Sequence, residues 1–108
     1  MLSKPMHKLK LLQWNAQGAT TQSVITQIEL TLNVESVDMA FISETYLSVA
    51  HDFKLTNYVI YRNDRLTHGG GVLIAVRKNI EHKLIRSYDT AVAENISIQA
   101  TVGKSPII

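Results

Sequence analysis

The chain has 108 residues, enough for one small domain with a hydrophobic core and too few for two. Hydrophobic residues make up 45% and charged residues 19%, a composition that excludes an intrinsically disordered tail. The net charge of +2 permits nucleic-acid binding without indicating it, and the lack of cysteine excludes disulfides and thiolate metal sites and fits an intracellular protein.

The chain begins with a segment that favours no regular structure. Residues 1–7, interrupted by Pro5, predict a loose N-terminal segment, and the domain is expected to span 8–108. No apolar run approaches the roughly 18 residues of a membrane helix, and no signal peptide is recognisable, so no membrane partner is expected.

The short apolar run from Leu9 to Trp14 predicts a buried strand that ends near Asn15.

A helix and a second strand are predicted next. Apolar residues recur at helical spacing at Val24, Ile25, Ile28 and Leu32. This spacing predicts an amphipathic helix over about 21–34, with Thr20 or Thr21 as its N-cap. The apolar run at 39–43 predicts another buried strand. Strand, helix and strand in this order predict a parallel pair joined by a crossover, with both strands ending at the edge where open α/β sheets bind ligands.

The remainder of the chain indicates strands separated by loops. Loops are predicted at 45–57 and 62–68, and a turn at 103–105. Strands are predicted at 58–61, 71–76, 83–88 and 95–102. A further apolar run at 106–108 suggests that the chain is a fragment of a longer domain.

Asn15 and Glu44 follow the two predicted parallel strands and are expected to lie side by side. A carboxylate at the end of a buried strand is costly unless something binds it, and Mg²⁺ suits it when phosphate oxygens complete the ligand set. An amide at the neighbouring strand end can donate to a phosphate oxygen. Each residue alone also fits an ordinary role, Asn15 in a turn and Glu44 in solvent.

Other polar residues are weaker candidates. The glycines at 69–71 precede a strand and not a helix, which indicates a turn with close backbone contact and not a phosphate loop. His68 is a candidate base or a solvated loop residue. Arg62 and Arg65 are candidates for contact with a DNA backbone, and an internal salt bridge with Asp64 is the alternative.

Four short motifs, taken in order, resemble one known family. They are Gln-Trp-Asn at 13–15, Ser-Glu-Thr at 43–45, Tyr-Arg-Asn-Asp-Arg at 61–65 and His-Gly-Gly-Gly-Val-Leu-Ile-Ala-Val at 68–76. Together with the helix between the first two, they resemble the endonuclease/exonuclease/phosphatase superfamily. Within it, they are most similar to the apurinic-type endonuclease domain of non-LTR retrotransposons, over nearly the whole chain.

The resemblance implies a fold, a reaction and roles for two residues. The fold class would be α/β (α+β), with the chain forming the N-terminal half of a four-layer α/β sandwich of the DNase I-like type. Asn15 would orient the scissile phosphate, and Glu44 would be catalytic as the ligand of Mg²⁺, for which Mn²⁺ can substitute. The partner would be DNA, and the protein would act in the nucleus as part of a longer polyprotein.

The chain departs from the family pattern in its second half. A catalytic Tyr, an Asp-x-Asn motif and a Ser-Asp-His motif are missing, so the general base and the histidine would lie beyond Ile108 and this chain would be inactive alone. One alternative is a non-catalytic α/β module that binds or oligomerises through exposed sheet faces. Another is the phosphatase branch of the superfamily, against which Gln-Trp-Asn and the Gly-Gly-Gly strand argue.

Overall fold

One helix and six strands make up the residues that the computed structural model describes, which are 9–64, 70–89 and 94–101. In chain order they are β1 (Leu11–Asn15), α1 (Gln22–Val34), β2 (Met39–Ser43), β3 (Tyr58–Asn63), β4 (Val72–Arg77), β5 (Glu81–Asp89) and β6 (Glu94–Thr101). Most side chains of β5 and β6 are not described. The fold class is mixed α/β, as predicted.

The predicted crossover is confirmed. β1 and β2 pair in parallel, with Leu11 opposite Met39 and Asn15 opposite Ser43. β1 begins two residues later than predicted, and Lys10, just before it, is bonded to Asp38, the residue before β2. The Lys10 carbonyl accepts from the Asp38 amide at 2.8 Å, and the Lys10 amide donates to Asp38 Oδ2 at 2.8 Å.

The helix forms where the apolar spacing predicts it. Thr21 is the N-cap, and its hydroxyl accepts a hydrogen bond from the Val24 amide at 3.4 Å. Ile28 and Leu32 are fully buried against the sheet. The helix ends at Val34, and Ser36 then takes a left-handed φ of 53° that turns the chain toward β2.

The first four strands form one mixed sheet in the order β1-β2-β4-β3, in which β4 is antiparallel to both of its neighbours. One row of the register runs Asn15, Ser43, Val72 and Asn63 across the four strands. All four strands begin or end at this row, which is called the rim from here on. β3 runs two residues further than predicted because Arg62 and Asn63 still pair with β4.

The two faces of the sheet are covered differently. The face toward α1 carries the main core, to which the 45–57 segment adds the buried side chains of Leu47, Phe53 and Leu55. The opposite face carries a smaller cluster, and the β5–β6 hairpin lies against β3 and β4. Here the Tyr61 hydroxyl and His82 Nε2 are 2.9 Å apart. Leu11 and Phe41, on the same face, are 55% and 38% exposed.

Several predictions fall on other parts of the chain. The loose segment at 1–7, Arg65, His68 and the turn at 103–105 lie outside the described residues. Of the helices in the described part, none is long and apolar enough to cross a membrane.

Candidate functional site

Asn15 and Glu44 meet at the rim, as the parallel pairing predicts. Asn15 Nδ2 donates a hydrogen bond to Glu44 Oε2. Asn15 Oδ1 accepts from the Gln17 amide at 3.1 Å. Since the carbonyl oxygen of the Asn15 amide is engaged by a donor, its nitrogen is the atom that faces the carboxylate.

The backbone pairing between the two strands continues past their ends. The amides of Ala16, Gly18 and Ala19 donate to the carbonyls of Ser43, Glu44 and Thr45 at 2.8–2.9 Å. The segments that follow Asn15 and Glu44 in the chain are therefore hydrogen-bonded to each other and are not independent loops. This bonding fixes the distance between the two side chains.

A third segment, the glycines before β4, closes the rim. The Tyr46 amide donates to the Gly70 carbonyl at 2.8 Å, and the Thr45 amide donates to the Gly71 carbonyl at 3.3 Å. Thr45 is fully buried, and a Cβ on Gly71 would lie 2.5 Å from its Oγ1. The close backbone contact predicted for the glycines is confirmed at both described positions.

The backbone of the rim is strained. Five non-glycine residues of the described chain have positive φ, and three of them lie here: Gln17 at 47°, Glu44 at 50° and Tyr46 at 58°. A non-glycine residue held in this region costs about 1–3 kcal/mol, and such residues cluster at active sites and ligand clamps. The left-handed turn at Glu44 sets the direction of its side chain relative to β2.

Tyr46 also contacts the Glu44 carboxylate. Its hydroxyl donates to Glu44 Oε1 at 3.3 Å, so each carboxylate oxygen receives one hydrogen bond, the other coming from Asn15. Partial burial, the adjacent Glu44 charge and this hydrogen bond raise the pKa of Tyr46. The phenol is therefore a protonated donor at neutral pH. Sequence reasoning missed this contact because it depends on the positive φ angles at 44 and 46.

Arg62 is held within the protein. Its guanidinium forms an ion pair with Asp64 at 2.7 Å, so the predicted internal salt bridge is present. It also donates to the carbonyls of Ser48 and His51 at 2.7 and 2.8 Å. These bonds fix the turn at 48–51 beside the rim. Its suggested contact with DNA stays a prediction, as does that of Arg65.

Glu44 is the side chain at the end of β2 that could act as a ligand of a hard cation such as Mg²⁺. Glu44 supplies one hard anionic ligand whose orientation is set by two hydrogen-bond donors. In the described part of the chain, no three His, Cys, Asp or Glu side chains come together. Mg²⁺ is commonly held by one or two carboxylates with waters and substrate phosphates, whereas zinc takes three or four protein ligands.

No protein-family model matches the chain, and no curated protein matches it.

Proposed function

We propose that the chain is the N-terminal part of a Mg²⁺-dependent DNA endonuclease of the non-LTR retrotransposon type, which nicks phosphodiester bonds in the nucleus. The observation that supports this best is the contact between Asn15 and Glu44 on a strained rim. A hydrogen-bonded amide and carboxylate at adjacent strand ends are suited to a bridged phosphate and cation. The motif resemblance supplies the reaction class.

Glu44 and Asn15 would have different roles at the phosphate. A bound Mg²⁺ or Mn²⁺ would neutralise charge on the phosphate and on the leaving oxygen. Glu44 would hold it through the lone pairs that Asn15 and Tyr46 leave unused. The Asn15 amide carries two N–H groups, so one can hold Glu44 while the other donates to a phosphate oxygen.

We further propose that the complete fold is the four-layer sandwich of DNase I-like proteins. The β5–β6 hairpin supports this, because it lies on the face of the first sheet that α1 leaves open. It would be the first part of a second sheet. The chain contains no Asp-x-Asn or Ser-Asp-His motif, so the base and the histidine would come from the rest of a longer polyprotein. Without them the rate would fall by roughly 10²–10⁴-fold, and this chain alone would be inactive.

Mn²⁺ binding to the chain tests the proposed site without requiring activity. We expect paramagnetic broadening in NMR spectra to begin at the amides of 15–18 and 43–46, because Glu44 is the only ligand proposed. Glu44→Gln should remove it. Glu35→Gln is the matched control, since Glu35 is an exposed carboxylate paired with Lys10 at the opposite end of β1. Broadening that is unchanged in Glu44→Gln would refute the site.

In the described part of the chain, the β5–β6 hairpin lies against β3 and β4 and leaves Leu11 and Phe41 exposed on the sheet face away from α1, which favours a second function, self-association. In register, Leu11, Gln13, Met39 and Phe41 share the face away from α1, and Leu11 and Phe41 are exposed beside the cluster under the hairpin. Contiguous exposed apolar patches mark interaction surfaces when they are large. This observation supports the alternative of an oligomerising module.

We therefore expect the weight-average mass of the chain to rise with concentration in sedimentation velocity. Phe41→Thr should reduce this rise because it removes a large exposed apolar side chain from the face. Leu30→Gln is the control, since Leu30 is 63% exposed on the outer side of α1. A wild-type protein that stays monomeric at all concentrations would exclude self-association. An equal effect of Phe41→Thr and Leu30→Gln would show that the association surface is not the sheet face away from α1.

A further inference from the structure

Tyr46 is fixed in place independently of its hydroxyl group. Its amide is bonded to the Gly70 carbonyl at 2.8 Å, and its φ is 58°. Its ring lies over Gly18, where an added Cβ would come within 3.2 Å of Tyr46 Cδ2. Gly18 has a φ of 110°, so glycine provides both the turn and the space for the ring. The ring is 39% exposed and packs on Gly18 on one side, while the Tyr46 backbone is bonded to Gly70.

The hydroxyl of this fixed ring reaches the carboxylate that the proposed function requires. Asn15 donates to Glu44 Oε2, and Tyr46 donates to Oε1 at 3.3 Å. A donor on each oxygen restrains rotation of the carboxylate more than a single donor would. Each oxygen has two lone pairs, so each keeps one for a further partner.

We propose that Tyr46 is a positioning residue that holds the Glu44 carboxylate in the orientation in which it binds a divalent cation. This inference rests on the proposed function, because it assumes that Glu44 is a cation ligand. Groups that hydrogen-bond to a metal ligand commonly contribute about 10–100-fold to metal affinity by orienting it. The ring of Tyr46 is needed for packing at the rim, and its hydroxyl is the part that acts on Glu44.

Tyr46→Phe separates these two contributions because it removes the hydroxyl and keeps the ring. We expect its dissociation constant for Mn²⁺, measured by electron paramagnetic resonance of the free ion, to rise about 10-fold. Thermal unfolding followed by circular dichroism should be nearly unchanged, since the ring still packs over Gly18. Tyr61→Phe is the matched control. It removes the hydroxyl that contacts His82 of β5 on the sheet face away from α1, and it should leave Mn²⁺ affinity as in wild type.

A spectroscopic signature distinguishes positioning from a general effect on structure. With ¹³C-labelled tyrosine, the Cζ resonance of Tyr46 should move when Mg²⁺ is added, and it should not move in Glu44→Gln. An affinity within twofold of wild type in Tyr46→Phe, combined with lost binding in Glu44→Gln, would overturn the role of Tyr46 alone. Binding that Glu44→Gln leaves intact would overturn the proposed function and this inference with it.

Discussion

Gly71→Ala is expected to lower the free energy of unfolding by at least about 2 kcal/mol. Gly71 has a φ of 90°, and an alanine held there costs about 1–3 kcal/mol in backbone strain. Its Cβ would also lie 2.5 Å from Thr45 Oγ1. Thr45 is fully buried and bonded through its own amide to Gly71, so it cannot move aside without loss, and overpacking of this kind costs about a further 1–3 kcal/mol.

Urea unfolding of Gly71→Ala, Gly18→Ala, Thr45→Ala and the Gly71→Ala/Thr45→Ala double variant separates the strain from the clash. Gly18 has a φ of 110°, but a Cβ added there would meet only the edge of the Tyr46 ring, at 3.2 Å. Gly18→Ala should therefore be the milder change. Thr45→Ala in the Gly71→Ala background removes Oγ1, and the double variant should be more stable than the sum of the two single changes predicts. An unfolding midpoint for Gly71→Ala equal to that of wild type would contradict the close contact at the rim.

The first half of the fold could be predicted because its signals are local. The spacing of Val24, Ile28 and Leu32 indicates a helix, and short apolar runs on either side indicate buried strands. A strand, a helix and a strand in this order favour a parallel pair joined by a crossover. The pairing predicts that Asn15 and Glu44 lie near each other, and the left-handed turn at Glu44 completes the contact that the structure shows.

The parts that could not be predicted depend on contacts between distant segments. No local pattern specifies that β4 inserts between β2 and β3, because that order is decided by the packing of both sheet faces. The 45–57 segment lacks periodicity and reads as a loop, yet Leu47, Phe53 and Leu55 are buried in the core. The contact of Tyr46 with Glu44 depends on two left-handed residues that are not glycine, a conformation that sequence rarely indicates.

In the longer endonuclease proposed above, Glu44→Ala is expected to reduce nicking by at least about 100-fold. Glu44 is the one proposed protein ligand of the cation, and charge stabilisation by such an ion contributes several kcal/mol to the transition state. Each 1.36 kcal/mol corresponds to tenfold in rate. Asn15→Ala should also reduce nicking, since it removes the donor to Glu44 and the proposed donor to the phosphate. Glu35→Ala should leave nicking unchanged.

Conversion of supercoiled plasmid to open circles in Mg²⁺ is the measurement that tests the central claim most directly. The intact wild-type protein should nick the plasmid, excess EDTA should stop it, and Glu44→Ala should remain near background while Glu35→Ala nicks like wild type. Equal nicking by wild type and Glu44→Ala, or nicking that persists in excess EDTA, would contradict a cation site at the rim.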